Sequence, residues 1–307
     1  MEPLSLPIEF ITRIREQLGP EAEAFLASYA EARTQGLRCN PLKAAPDDAV
    51  WKNLRQLFQL EAVPWCPTGF YYPEEARPGR HPYHAAGLYY IQEPSAMASA
   101  EQLAPEPGET VLDLAGAPGG KSTQIAGMLQ GRGLLVANEI HPGRARILSE
   151  NIERMGISNA IVTSMTPDSL AVRFPFFFDR IMLDAPCSGE GMFRKDPDAA
   201  EEWNAGSPAF CAARQKDILK DAVKMLKPGG ILGYSTCTFN REENEEVIQW
   251  LLAEYPLFRL LASERIWPHK ERGEGHFVAF LQLGAKPDET IGAGEARGGL
   301  AKNRAKG

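Results

Sequence analysis

The stretch Val111-Leu112-Asp113-Leu114-Ala115-Gly116-Ala117-Pro118-Gly119-Gly120-Lys121-Ser122 is an apolar, strand-like run that breaks into a glycine-lined turn and opens a helix. A plain strand-to-helix turn needs one glycine. Three glycines with Pro118 describe a backbone that lets a ligand approach the N–H groups at a helix N-terminus. The turn is not a phosphate-binding P-loop, because the first glycine of that motif falls on Ala115. It also misses the G-x-G-x-x-G spacing of dinucleotide sites. Glu139 ends the next apolar run, Val136-Ala137-Asn138-Glu139, twenty residues past Gly119. An acid there accepts hydrogen bonds from a ribose diol and repels a 2′-phosphate. With Asp113 and the turn it favours a nucleoside-bearing ligand without a demanding phosphate, and S-adenosylmethionine fits that description better than ATP or NAD.

Outward from this turn the pattern is regular. Apolar runs at 110–115, 133–138, 160–164, 178–183 and 230–235 alternate with helical stretches at 120–130, 142–155, 209–226 and 241–253. Such alternation specifies βαβ units, hence a doubly wound, mostly parallel sheet covered by helices on both faces. Runs at 257–261 and 276–283 add an antiparallel pair, bringing the sheet to seven strands. Lys227-Pro228-Gly229-Gly230 reads as a tight helix-to-strand turn. Upstream, residues 5–33 read as two helices split by Gly19-Pro20, with Ile8, Ile11, Ile14 and Leu18 at helical spacing. Residues 34–90 carry short apolar runs broken by prolines from Pro41 to Pro82, with one helical pattern at 51–60, which describes a small α+β module. The expected organisation is an N-terminal α+β module over 1–92, the doubly wound domain over 93–284, and a flexible tail or linker over 285–307.

A chain of 307 residues suggests about two domains. A hydrophobic share of 44% with 24% charged residues is ordinary for a soluble globular protein, and no stretch approaches the ~20 apolar residues of a membrane span. The start, Met1-Glu2-Pro3-Leu4-Ser5-Leu6-Pro7, has no basic segment and no apolar signal core. Five cysteines without a Cys-x-x-Cys pair argue against a disulfide frame and a zinc knuckle. The expectation is a cytoplasmic protein with reduced thiols, no metal and no membrane. The net charge of −7 counts against nucleic-acid binding, but a local patch suffices to hold a phosphate backbone. Arg33 with Arg38 and Lys43, Arg77 with Arg80 and His81, and Arg194 with Lys195 are the available groupings, each equally readable as a solvated face.

Two cysteines stand at the ends of neighbouring apolar runs. Cys187 lies in Leu183-Asp184-Ala185-Pro186-Cys187-Ser188-Gly189, and Cys237 in Gly233-Tyr234-Ser235-Thr236-Cys237-Thr238. Two thiols at the rim of a nucleoside site suggest covalent catalysis on a carbon too unreactive to be alkylated unaided. Burial as a small apolar side chain is the commonest fate of a free cysteine. That reading is kept for Cys39, Cys66 and Cys211.

These segments resemble the RNA 5-methylcytosine methyltransferases of the Nop2/NSUN/RsmF group, most closely the bacterial RsmF-like 16S rRNA enzymes. The matching residues are Asp113–Lys121, Asp184–Cys187 with its extension through Pro197, Ser235–Thr238, Gly87–Ser95, Leu37–Asn40, Trp267–His269 and Gly273–Phe277. The resemblance covers about residues 5–283 and implies a Rossmann-like class I methyltransferase fold acting on RNA, rRNA first and tRNA as the alternative. It implies that Ala115, Gly116, Ala117, Pro118, Gly119, Gly120 and Lys121 wrap S-adenosylmethionine, that Glu139 holds its ribose with Arg144 nearby, and that Asp184 sits between cofactor and base. It makes Cys237 the nucleophile, Cys187 the cysteine that assists product release, and 1–92 an RNA-binding module. Where many relatives carry an adenine-contacting Asp this chain has Thr166, with Asp168 two residues on, so the adenine contact is open between them. Relatives usually continue into a C-terminal RNA-binding domain, whereas this sequence ends on its low-complexity tail.

The chemistry accounts for these residue types. Cytosine C5 is a poor nucleophile until a thiolate adds to C6. The protein must then supply an activated thiol, a group that polarises N3, and a base for the C5 proton. Cys237 precedes Asn240-Arg241-Glu242-Glu243, which reads as a capped helix start, and thiols near helix N-termini have depressed pKa values. Asp184 suits the N3 role if it is protonated or shares a proton, and Cys187 is expected to reach the opposite side of the same base. Tyr71, Tyr72, Tyr83, Phe193 and Trp267 are candidate stacking surfaces for an unpaired RNA base. The rivals are a DNA cytosine methyltransferase, disfavoured by the extra Thr-Cys motif, a non-catalytic RNA-binding assembly factor, disfavoured by both cysteines with Asp184, and a P-loop NTPase, disfavoured by Ala115.

Overall fold

A computed structural model of the chain describes residues 5–45 and 47–285, so the tail expected from residue 285 onward lies, past Ala285 itself, outside the described residues. Helices α1 (Ile8–Leu18) and α2 (Ala22–Ser28) are parted where Gly19 takes φ +52° and Pro20 offers no N–H. Strands β1 (Gly36–Cys39), β2 (Glu61–Ala62), β3 (Gly69–Tyr71) and β4 (Tyr89–Ile91) form an antiparallel sheet in the order β2-β3-β1-β4. Between them, α3 (Ala49–Leu57) buries Trp51 and Leu54 against Leu37, Phe70 and Tyr89, and α4 (Pro82–Ala85) leads into β4. The expected α+β module is thus present over residues 34–90. The two N-terminal helices do not join its core. Phe10, Ile14 and Phe25 pack instead on Phe193, Trp203 and Phe239.

The second sheet follows α5 (Pro94–Leu103). In chain order come β5 (Thr110–Asp113), α6 (Gly120–Leu129), β6 (Leu134–Asn138), α7 (Pro142–Met155), β7 (Ala160–Thr163), α8 (Pro167–Arg173), β8 (Phe178–Asp184), α9 (Pro197–Glu202) and α10 (Ser207–Met225). They are followed by β9 (Leu226–Thr236), α11 (Glu245–Glu254), β10 (Phe258–Ile266) and β11 (His276–Leu283). The seven strands lie in the order β10-β11-β9-β8-β5-β6-β7, parallel except that β11 is antiparallel to both β9 and β10. Each strand alternates its apolar side chains between two cores. Val111, Leu135, Met182 and Val278 meet α5, α6 and α7, whereas Leu112, Val136, Ile181 and Phe277 meet α8, α10 and α11. The expected doubly wound seven-stranded sheet is what the chain forms.

The differences are local and have physical reasons. α5 escapes periodicity analysis because small residues such as Ser95, Ala98, Ser99 and Ala100 bury it on several sides, leaving no apolar stripe. α8 and α9 are too short to show a period. Lys227–Gly230 continues as the start of β9, with a register shift opposite Phe178–Arg180 and Gly229 at φ +82°, rather than forming a separate turn. α11 starts at Glu245, not at 241. Asn240 Oδ1 accepts from Glu243 N–H as a cap would, and Asn240 Nδ2 donates to Glu243 Oε1, around a turn that precedes it. The first helical turn therefore begins eight residues past Cys237, and a helix N-terminus does not provide the activation expected for that thiol. Among the described residues no helix is long and apolar enough to cross a membrane.

Candidate active site

Parallel strands deliver their carboxyl ends to one side of the sheet, and an open α/β sheet binds ligands there. Asp113 ends β5 fully buried, and its Oδ2 accepts a hydrogen bond from Ser122 Oγ at 2.6 Å. Burial pushes its carboxyl up to about 6. The turn beyond it is tight: a Cβ on Gly116 would stand 2.7 Å from Ser122 Oγ, and Gly119 adopts φ +121° just before α6 begins. Gly116 N–H donates to Asn138 O at 2.7 Å, which ties the turn to the end of β6.

Two cavities open along this turn. The first, about 870 Å³, is walled by Ala115, Ala117, Glu139, Arg144, Asp184, Cys187 and Cys237 among others. The second, about 310 Å³, is walled by Gly116, Pro118, Gly120, Lys121, Tyr90 and His276, and shares Ala115, Ala117, Asp184 and Cys237 with the first. The residues expected around the cofactor are therefore divided: Glu139 belongs to the first cavity, Lys121 to the second, and Gly119 to neither wall. Glu139 is buried, accepts from His141 N–H at 3.0 Å and lies 3.1 Å from Arg144 Nη1. Arg144 also donates to Ala117 O at 3.1 Å, so it clasps the turn to the end of β6. Of the two positions open for an adenine contact, Thr166 donates to Ser169 Oγ, and the residue between them, Pro167, lines the cavity.

Asp184 stands where the cavities meet. It ends β8 opposite Ser235 of β9, whose Oγ donates to Oδ1 at 2.7 Å, and Lys121 Nζ donates to Oδ2 at 2.7 Å. Burial would raise this carboxyl, but the Lys121 ammonium, together with the neighbouring His276 ring, outweighs it and holds Asp184 well below the usual carboxylate range. Asp184 is therefore the ionised partner of the Lys121 bond, which leaves the shared-proton form of its expected N3 role and not the protonated-acid form.

The thiols are in contact. Cys187 Sγ and Cys237 Sγ lie 3.4 Å apart, and no ring fits between them, so the two sulfurs do not approach a base from opposite sides. The adjacent Cys237 sulfur and burial push the Cys187 thiol far up. A buried polar network fixes both loops. Glu243 accepts from Ser188 N–H at 2.9 Å, Asn240 Nδ2 at 2.7 Å and Gln215 Nε2 at 2.8 Å. Glu190 accepts from Phe239 N–H at 2.9 Å and pairs with Arg13 of α1. Gly191 N–H donates to Cys237 O at 2.8 Å.

Other expected groups lie elsewhere. Phe193 is in the α1–α2 core and Trp267 stacks on Phe239 with ring centroids 5.4 Å apart, so neither lines these two cavities, and Tyr71, Tyr72 and Tyr83 line neither one. Arg38 is not a surface cation. Fully buried, it donates to Gln92 Oε1, Gly120 O and Thr123 Oγ1, joining β1 to the start of α6. Arg194 is buried against Glu274 at 2.6 Å. Cys39 and Cys66 are core residues, while Cys211 forms part of the first cavity's wall. Sequence reasoning gave Gln215, Glu190 and His276 no role. Glu190 and His276 lie inside segments that carry the family resemblance, which is the signal that could have singled them out, whereas Gln215 sits among charged residues of α10 and has none.

The chain matches the family model of 16S rRNA methyltransferase RsmB/F over residues 100–282, and that of the N-terminal domain of 16S rRNA methyltransferase RsmF over residues 6–94. It is 42% identical to ribosomal RNA small subunit methyltransferase F of Pectobacterium atrosepticum, over 91% of this chain and 63% of the relative. It is also 42% identical to the Enterobacter protein of that name, over 90% of this chain and 60% of the relative. The chain thus spans about three-fifths of the length of these curated relatives. Among solved structures, a methyltransferase homologue from Pyrococcus horikoshii superposes with a TM-score of 0.80 at 30% identity, covering 91% of this chain and 96% of the other. NSun6 from Pyrococcus horikoshii, solved with SFG, shares the fold with a TM-score of 0.81 at 22% identity, over 91% and 99% of the two chains. A match over most of the sheet, with the paired thiols inside it, settles the ancestry: the chain belongs to the RsmB/F family of 16S rRNA methyltransferases.

Proposed function

We propose that this protein transfers a methyl group from S-adenosylmethionine to C5 of a cytosine in ribosomal RNA, through a covalent bond between Cys237 and cytosine C6. The observation that carries the reading is the contact of two free thiols at the junction of two cavities, beside a carboxylate held by a lysine. The first cavity suits the cofactor. Each Glu139 oxygen has a lone pair beyond its present partner for a ribose hydroxyl, and Lys121, the cation of the turn, is committed to Asp184 rather than free for a phosphate. When bound, S-adenosylmethionine supplies an electrophilic methyl group. The second cavity suits a pyrimidine turned out of its strand.

The chain's own groups then divide the work. Cys237 gives its sulfur electron pair to C6. The Lys121 ammonium, held in place by Asp184, offsets the negative charge that develops on N3 and O2, acting from a fixed position at little reorganisation cost. C5 would then carry electron density and form the new carbon–carbon bond to the methyl group, the electron pair of the broken S–CH3 bond staying on the cofactor's sulfur. Restoring the ring requires the C5 proton to pass to a base and the Cys237 sulfur to leave C6 with its electron pair, and Cys187, touching that sulfur, is placed to assist. Residues 93–284 would carry this chemistry and residues 1–92 would hold the RNA. Bisulfite sequencing of ribosomal and transfer RNA from cells lacking the protein tests the reading. Loss of one protected rRNA cytosine supports it, loss confined to tRNA moves the substrate, and an unchanged pattern rejects it.

A further inference from the structure

One enclosed polar group of the second cavity has no part in the steps above. His276 is the first residue of β11, and because β11 is antiparallel its start lies beside Thr236, at the same end of the sheet as Asp184 and Cys237. Its side chain is 96% buried, yet Nε2 has no hydrogen-bond partner. Nε2 lies 3.7 Å from Asp184 Oδ1, too far for a hydrogen bond, whereas Lys121 Nζ holds Oδ2 at 2.7 Å. The lysine and the histidine therefore flank the carboxylate through different oxygens. Other polar side chains around this cavity are engaged: Gln92 accepts from Arg38, and Glu274 is paired with Arg194. A buried, unpaired imidazole nitrogen costs free energy that a ligand can recover.

Taking the RNA cytosine reading as its basis, we infer that His276 recognises the exocyclic amino group of the target cytosine, its Nε2 lone pair accepting an N4–H. The edge of cytosine presents O2, N3 and N4 in order. An ammonium can only donate, so Lys121 belongs at the carbonyl O2. Asp184 lies in the middle, and as charge develops N3 takes up a proton from the Lys121 ammonium by way of the Asp184 carboxylate, leaving Lys121 a neutral amine that still donates. The remaining flank must accept, because N4 donates, and Nε2 accepts in the imidazole tautomer that carries its proton on Nδ1. Uracil would set a carbonyl lone pair against that nitrogen, so the contact selects cytosine.

The test uses the full chain and a synthetic RNA spanning the cytosine mapped by bisulfite sequencing, made with cytosine or with 2-pyrimidinone, the same ring without the amino group. Single-turnover methyl transfer is measured for the wild-type protein, His276→Phe and His276→Gln. The intrinsic reactivity difference of the two rings cancels in the ratio of ratios. The wild type should favour cytosine over 2-pyrimidinone about tenfold more than His276→Phe does, the size of one hydrogen bond in a closed site. His276→Gln, which still offers an acceptor, should recover part of that preference. Identical ratios in the wild type and His276→Phe would overturn the inference, whatever the absolute rates, and would mean that water or nothing pairs Nε2. Wild-type transfer to cytosine with no coupling refutes the histidine contact alone. No transfer by the wild type to either RNA refutes the cytosine reading, and this inference with it.

Discussion

Lys121→Met removes the main charge that holds Asp184 ionised, leaving His276 beside it, while keeping most of the buried volume. Breaking one partner of a fully enclosed ion pair costs about 3–5 kcal/mol. Lys121 is 9% exposed, but Asp184 retains 35% exposure and its bond from Ser235, so solvent recovers part of the loss and about 2 kcal/mol is expected at neutral pH. The sign with pH follows from the depressed Asp184 carboxyl. In the wild type the pair contributes stability above the unfolded carboxylate pKa of about 3.9, and loses it as pH falls through the lower folded value. In the variant, burial acts without the lysine and the folded carboxyl moves up. Below that raised value the variant takes up a proton in its folded state, and the gap to the wild type narrows. Urea unfolding at pH 7.5 and at pH 5 measures this, with a gap of about 2 kcal/mol at the higher pH and a smaller one at the lower. Adding Asp184→Asn should recover much of the loss, because the uncompensated charge disappears. A gap that stays constant or widens on acidification would show that Lys121 acts by packing and not by charge.

Cys237→Ala should abolish methyl transfer while cofactor binding persists. Cys187→Ala should trap RNA as an adduct through Cys237, visible on a denaturing gel and absent from the double variant; an adduct formed by Cys237→Ala instead would reverse the roles. Glu139→Ala should weaken S-adenosylmethionine binding by about 1–3 kcal/mol in calorimetry, the cost of unpaired hydroxyls in a closed site, and an unchanged affinity would identify another ribose partner. Arg194→Ala leaves Glu274 buried without its cation, 5% exposed, and should destabilise the fold by about 3–5 kcal/mol in a urea titration, with loss under 1 kcal/mol counting against the pair.

Much of this molecule is legible in one dimension. Strand and helix periods are local properties, so the alternation from Val111 to Tyr234 predicted the doubly wound sheet. The turn from Ala115 to Lys121 announced a ligand site because positive φ at Gly119 and close packing at Gly116 are demands on single residues. The Pro-Cys and Thr-Cys motifs announced the thiols in the same way. Tertiary structure decided what depends on distance across the sheet. Pairing of β8 with β9 in register sets Asp184 opposite Ser235 and carries two sulfurs, fifty residues apart in sequence, into contact. That contact, together with burial, raises the Cys187 thiol. Lys121 reads as part of a cofactor turn, and only its reach to Asp184 turns it into the charge partner of a carboxylate. Reversal of one strand brings His276 to the same rim. Local sequence specifies backbone conformation, but the ionisation of Asp184 and Cys187 depends on charges and burial contributed by distant segments. Those energies fall off with distance in space, and the chain order does not record that distance.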